Sequence, residues 1–97
     1  MPDVVSLSDL DATPHAEVFA DRPRTVRLSL AAGESMPAHS HPGDDVLFHV
    51  LSGEIELSLD GDPHSLGAGD LVRFDGARQI EPRAVDDATA LVVFAPA

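Results

Sequence analysis

The sequence predicts an all-β domain, built as a sandwich or a barrel, from three observations. Segments in which apolar and polar residues alternate recur along the 97-residue chain, and this period of two is typical of strands with one buried face. Turn signals rich in Gly, Asp and Pro separate these segments at intervals of about 8–12 residues. No segment carries the apolar period of a convincing helix, and no internal repeat indicates a solenoid or a propeller.

The first 23 residues predict a weakly ordered arm that ends before the regular pattern begins. Residues 4–7 and 16–19 are its two short apolar segments, each a candidate edge strand, with Pro14 between them and Pro23 after them as breakers. From residue 25 the pattern changes: Val26, Leu28 and Leu30 alternate with less apolar residues up to residue 31, which predicts a half-buried strand.

The middle of the chain predicts three strands joined by tight turns. Residues 46–51 form a near-continuous apolar run, which is consistent with a strand buried on both faces. Residues 54–60 alternate most clearly, and Asp60-Gly61 then predicts a hairpin turn because this pair adopts positive φ at low cost. A second turn at 67–70 leads into a strand over 71–74.

Two further strands complete the predicted domain. Residues 80–84 are expected to be extended, with Pro82 at a sheet edge or a bulge because proline has no N–H to donate. Residues 89–95 predict a final buried strand. Nothing divides the chain, so we expect one domain over 1–97, with a barrel core at about 24–95 and the arm at 1–23.

Charge and composition limit the partners that the chain is expected to have. Seventeen acidic residues oppose six arginines and no lysine, for a formal charge of −11, and such a surface repels nucleic acid. This balance is typical of proteins from halophilic organisms, the alternative being an ordinary acidic protein. Cysteine is absent, which excludes disulfides and thiolate metal sites. With no apolar run that would span a membrane and no secretory signal, we expect a cytoplasmic protein.

Two histidines form the most informative motif, within the stretch from Gly33 to Gly53. His39 and His41 stand two residues apart, and in an extended segment such a pair shares one face. Imidazole suits Zn, Cu, Fe and Ni, and the carboxylates of Asp44 and Asp45 lie just beyond the pair. The spacing is therefore that of half a metal site. Two loop histidines beside a Pro-Gly turn would give the same pattern.

These residues resemble the first motif of the cupin family, which are small double-stranded jelly-roll barrels. That motif runs Gly, five residues, His-x-His, three or four residues, Glu, six residues, Gly, and it is matched at Gly33, His39, His41 and Gly53. The sequence around Gly69-Asp70 is similar to the start of the family's second motif. The resemblance implies a cupin-type double-stranded β-helix. It does not imply an activity, since this fold carries enzymes, storage proteins and sensors.

In the family, metal sites use both histidines, the first-motif Glu or Gln and a second-motif His, and here two of these positions depart. Counting from His41 puts Asp45 at the acid position, whereas counting from Gly53 puts Val46 there. Both counts hold only if the strand contains a bulge. The alternate set that includes Val46 is the more apolar, so we expect Val46 to face inward and Asp45 to lie near the rim. The second-motif His maps onto Ile80, which cannot bind a metal.

The candidate metal ligands are His39, His41 and Asp45, which would hold one divalent transition metal (Zn, Fe, Mn or Ni), and the alternative is no metal at all. The candidate ligand-binding residues are His39, His41, His49 and Arg78. His49 stands in mid-strand, where it either lines the barrel or packs at a subunit contact.

Arg78 becomes a candidate through strand parity with Ile80, which would turn both Arg78 and Pro82 toward the cavity. Its guanidinium would then favour a carboxylate or a phosphate. The alternative is a surface pair with a nearby Asp. His15 and His64 are expected to be solvated.

Three functions remain open from the sequence. The first is a small barrel that binds a small molecule, with or without a metal, through a partly degenerate histidine site. The second is a metal-dependent cupin enzyme of the dioxygenase or isomerase type that uses His39, His41 and Asp45. The third is a structural or assembly domain with a vestigial site. A homodimer is expected because the edge of so small a sheet needs protection.

Overall fold

The computed structural model describes residues 3–96 as eight strands in two antiparallel sheets. The strands are β1 (His15–Phe19), β2 (Arg24–Leu30), β3 (Asp44–Ser52), β4 (Glu54–Leu59), β5 (Asp62–Gly67), β6 (Leu71–Asp75), β7 (Ile80–Ala84) and β8 (Ala88–Pro96). One sheet has the order β1-β2-β8-β3-β6 and the other the order β5-β4-β7. The all-β jelly-roll prediction is confirmed. No helix within residues 3–96 is long and apolar enough to cross a membrane.

Alternate residues of both sheets fill a single core between them. β4 buries Ile55, Leu57 and Leu59, while β8 buries every second residue from Ala88 to Phe94. The inward faces of the two sheets bury their apolar surface against each other, and its removal from water is the main driving force for the packing. The period of two that predicted these strands therefore reports which side chains enter the core.

β3 buries one face, so the prediction of a strand buried on both faces at 46–51 was wrong. Val46, Phe48 and Val50 are almost inaccessible to solvent, whereas Leu47 and His49 between them are only partly buried. β3 is an inner strand, flanked by β8 and β6, but only one face of its sheet is covered by the second sheet. At β3, the outer face of this antiparallel sheet is therefore only partly buried.

The arm contains one of the two predicted edge strands. Residues 16–19 lie in β1, which pairs with β2, so this part of the prediction is confirmed. Residues 4–7 do not form a strand, and their last residue, Leu7, begins a single 3-10 turn at Leu7–Asp9. Because β1 already occupies the free edge of β2, that edge has no N–H and C=O groups left for a second strand to pair with.

The Asp60-Gly61 turn joins β4 to β5, as the sequence predicted. Both residues have positive φ, of 54° and 82°. The carboxylate of Asp60 accepts hydrogen bonds from the backbone N–H of Gln79 at 2.8 Å and from Nε of Arg78 at 3.1 Å. This turn therefore also anchors the segment that enters β7.

The loop between β2 and β3 runs along the outer edge of β7 and so brings its histidines to the barrel. His39 and Ile80 exchange backbone hydrogen bonds of 3.1 and 2.7 Å, and the N–H of Met36 donates to the carbonyl of Pro82 at 3.1 Å. Pro82 has no N–H to donate back, which fits its predicted place at the edge of a sheet.

Candidate functional site

A cavity of about 400 Å³ opens between the two sheets, near the start of β3. Its volume lies in the range of small-molecule sites, roughly 300–1,000 Å³. Most of the lining is apolar and comes from both sheets and the β2–β3 loop, with the deepest contributions from Val46, Phe48, Phe74, Ile80, Val92 and Phe94. The polar side chains that line it are His15, Arg24, His39 and His41.

His39 and His41 meet in this cavity, as their spacing predicted. Their ring centroids are 4.9 Å apart, and the ring planes are nearly perpendicular, at 84°. Nδ1 of His39 lies 3.0 Å from the carbonyl oxygen of Pro37. Because a carbonyl oxygen can only accept, Nδ1 is the donor in this contact, and in the neutral form of the ring Nε2 is the acceptor.

His41 is the more enclosed of the two imidazoles. Its ring packs against Phe94 at a centroid distance of 4.4 Å, and its Nε2 is buried with no hydrogen-bond partner in the described part of the chain. Burial lowers the pKa of His41, and the charges of His39 and Arg24 lower it further, against a smaller opposite effect from Asp44. His41 is therefore a neutral donor or acceptor at neutral pH.

The acid and second-motif positions of the family's metal site hold hydrocarbon side chains. Val46 is fully buried and lines the cavity, which confirms the expectation that it faces inward. Ile80 lines the cavity as well, in place of a second-motif His. Asp45 is exposed on the opposite face of β3, where it is paired with Asp75 and Ala95.

These donors do not fit a divalent transition metal. Within residues 3–96, no three His, Cys, Asp or Glu side chains stand close enough together to hold a metal ion. The predicted set of His39, His41 and Asp45 is therefore not assembled, because strand alternation separates Asp45 from the imidazoles. A catalytic metal centre generally takes three protein ligands, and this cavity offers two imidazoles among hydrocarbon side chains.

The structure places His49 and Arg78 outside the cavity. His49 lies on the outer face of β3, between Leu71 of β6 and Leu91 of β8. Arg78 pairs with Asp60, its Nε 3.1 Å from the carboxylate, so the surface-pair alternative is the one observed. The parity argument was right for Pro82 but wrong for Arg78, which precedes β7 in a turn where residues do not alternate between two faces.

Sequence reasoning missed His15 and Arg24, which both line the cavity. Arg24 opens β2 and is paired with Phe94 of β8. Its guanidinium carbon lies 5.2 Å from the centre of the Phe94 ring, and its Nε lies 3.6 Å from Glu17. A signal was available for Arg24, because the inward alternation of Val26 and Leu28 extends back to it. Nothing in the local sequence of His15 indicates its position.

Comparison with known proteins agrees with this architecture. The family model for the cupin domain matches residues 26–95. An RmlC-like cupin protein from Desulfovibrio desulfuricans is 29% identical, with a TM-score of 0.78 over 84% of this chain and 80% of that chain. KdgF from Halomonas sp. is 21% identical, with a TM-score of 0.74 over 86% of this chain and 77% of that one.

A third solved structure, a predicted oxalate decarboxylase from Thermotoga maritima, is 24% identical, with a TM-score of 0.70 over 76% of this chain and 66% of that one. At identities this low, the likeness to KdgF and to the predicted decarboxylase shows a shared fold alone. The comparison with curated proteins found no match.

Proposed function

The chain belongs to the cupin domain family, and from its cavity we propose that it binds a small organic molecule between its two sheets by means of its own side chains. The observation that carries this proposal is the combination of an apolar cavity of about 400 Å³ with two converging imidazoles at its wall. Small-molecule sites are typically apolar cavities that contain a few polar groups.

The two imidazoles give the cavity a defined polar end. Nε2 of His39 is available as an acceptor, and Nε2 of His41 is buried without a partner among the described residues. A buried polar atom without a partner costs about 1–3 kcal/mol. A ligand whose polar group reaches the nitrogen of His41 recovers that cost, while its apolar body packs against Val46, Phe48 and Val92.

A metal-dependent enzyme is the alternative to which the likeness to a predicted oxalate decarboxylase would lead. We do not favour it, because Val46 and Ile80 stand where two further donors would be needed. This choice is tested by titrating the metal-free protein with Zn²⁺ in a calorimeter. We expect that Zn²⁺ does not bind stoichiometrically to the two histidines. Stoichiometric binding that is lost in a His39→Ala, His41→Ala double variant would restore the metal-dependent alternative.

The binding proposal is tested by titrating ¹⁵N-labelled protein with 2-phenylethanol and with phenylacetate. We expect saturable shifts of the backbone amides of His39, His41 and Ile80 with at least one of the two probes. A Val92→Phe variant fills the cavity and should abolish these shifts. Val93→Phe, its neighbour on the outer face of β8, is the matched control and should keep them. Absence of a saturable shift with both probes would refute the proposal.

A further inference from the structure

Building on the proposed function, we propose that the cavity selects carboxylic acids with an apolar body, and that Arg24 is the residue that holds the carboxylate. Arg24 is not a ligand in the family motif that the sequence matches. Its role is inferred from the charges around the cavity, from the contacts of its guanidinium and from its position relative to His41.

The charges around the cavity are the opposite of those on the rest of the protein. The chain carries seventeen acidic residues and a formal charge of −11. Within the described part of the chain, no Asp or Glu lines the cavity, whereas one of the six arginines and three of the five histidines do. A basic lining within an acidic protein favours anions over cations at that point.

Contacts hold the guanidinium of Arg24 in place without using all of its hydrogen-bond donors. It lies over the ring of Phe94, with 5.2 Å between the guanidinium carbon and the ring centre, which holds the planar group in a cation–π contact. Its ion pair with Glu17 runs through Nε at 3.6 Å, longer than a hydrogen bond. Among residues 3–96, no side chain or carbonyl accepts a hydrogen bond from the two terminal nitrogens of Arg24, which form the fork that a carboxylate binds with both oxygens.

Phe94 links this cation to the buried imidazole. The ring of Phe94 contacts Arg24 and also packs against His41 at a centroid distance of 4.4 Å. The charge of Arg24 is close enough to His41 to lower the pKa of that imidazole. An anionic head at Arg24 thus lies at the same end of the cavity as the unpartnered Nε2 of His41, and the body of the ligand extends toward the hydrocarbon side chains of Phe48 and Ile80.

The number of charges favours a monocarboxylate over a phosphate ester. Arg24 is the one arginine among the described residues of the lining, and its charge is already partly balanced by Glu17. Burial lowers the pKa of His41, which disfavours a second positive charge beside Arg24. One guanidinium matches the charge of one carboxylate, whereas a phosphate dianion would leave a negative charge uncompensated beside an apolar wall.

The experiment measures dissociation constants by calorimetry at one salt concentration at which every variant is folded by circular dichroism. The probes are phenylacetate, 2-phenylethanol with the same body and a neutral head, and phenyl phosphate. The variants are Arg24→Gln, which removes the charge, and Arg24→Lys, which keeps the charge but loses the fork. Arg83→Gln is the matched control, because Arg83 has similar exposure and a similar ion pair, with Glu56 at 3.5 Å, outside the cavity.

We expect phenylacetate to bind the native protein at least about tenfold more tightly than 2-phenylethanol, as a charged hydrogen-bonded pair predicts. Arg24→Gln should remove this preference, Arg24→Lys should keep part of it, and Arg83→Gln should keep all of it. The inference is overturned if the alcohol binds as tightly as the acid, if phenyl phosphate binds more tightly than both, or if the Gln variants at 24 and 83 behave alike. Binding of 2-phenylethanol alone would leave the proposed function standing, whereas binding of none of the three probes would refute both.

Discussion

Replacing Gly76 by Ala should loosen the segment that carries the two imidazoles. A Cβ built on Gly76 would contact the backbone carbonyl oxygen of His41 and would lie 2.8 Å from that of Asp44. Both oxygens belong to backbone that is itself hydrogen bonded, since the N–H of His41 donates to the carbonyl of Gly76 at 2.6 Å and the N–H of Gly76 donates to Asp44 at 2.8 Å. Backbone cannot rotate away as a flexible side chain would, so the histidine segment has to shift.

The size of the effect follows from two contributions. Overpacking of a close contact costs about 1–3 kcal/mol. Each of the two backbone hydrogen bonds contributes about 0.5–1.5 kcal/mol, and part of that contribution is lost when the bond lengthens. The loss of glycine's freedom in the unfolded chain returns about 0.4–1 kcal/mol. We therefore expect the free energy of unfolding to fall by about 2–3 kcal/mol. In a domain of this size, this lowers the melting temperature by roughly 10–20 °C.

Gly43→Ala, in the β2–β3 loop that carries the two histidines, is the matched control. Gly43 has a φ of 90°, so an alanine there adopts a strained left-handed conformation, but a Cβ at this position meets no atom within 4 Å. Its cost should be the backbone strain alone, about 1 kcal/mol after the gain in the unfolded state.

The assay is urea denaturation followed by circular dichroism, together with the amide shifts that 2-phenylethanol induces at His39 and His41. We expect Gly76→Ala to lose more stability than Gly43→Ala and to weaken the probe-induced shifts. If Gly76→Ala is no more destabilising than the control, the close approach of Gly76 does not hold the histidine segment in place, and the reasoning is wrong.

Three further predictions concern pH, salt and the core. Because burial lowers the pKa of His41 below its ordinary value of about 6.5, the unfolded chain binds this proton more readily. The stability contribution of neutral His41 is therefore present above about pH 6.5 and is lost as the pH falls through the folded-state pKa. In urea titrations, the free energy of unfolding should fall less between neutral and mildly acidic pH in His41→Asn than in the native protein. Equal falls in the two proteins would contradict this. Molar KCl should raise the melting temperature, because it screens the repulsion within a chain of charge −11; a melting temperature indifferent to KCl would argue against adaptation to salt. Phe48→Ala should cost about 3–5 kcal/mol of unfolding free energy, since its side chain is 1% exposed, whereas Leu71→Ala, at 62% exposed, should stay within about 0.5 kcal/mol; similar losses in urea denaturation would mean that the core does not lie between the sheets.

The strands and turns were readable from the sequence because each is encoded by neighbouring residues. The alternation at 54–60 sorts buried from exposed side chains, and the Asp60-Gly61 pair has the backbone freedom that a hairpin requires. Pro82 lies at a sheet edge for an equally local reason, its missing N–H. The inward direction of Val46 followed from comparing the two alternating sets of one strand.

The predicted strand at 46–51 shows what a local sequence pattern cannot predict. The apolar run indicated correctly that a strand forms, but whether its second face is covered depends on the position of the other sheet. Arg78 shows the same limit, because the parity that holds within β7 stops at the turn that precedes it, and the partner of Arg78 is the distant Asp60.

By itself, the sequence determined the all-β fold, the convergence of His39 and His41 and the hydrocarbon side chains at 46 and 80, because these depend on spacing within short segments. Only the tertiary structure decided which charged groups surround the cavity. Arg24 reaches it through the pairing of β2 with β8, which sets the guanidinium over Phe94, and Asp45 is turned away from it. The pairing of strands far apart in the chain is set by the packing of the whole barrel, and no local pattern records it.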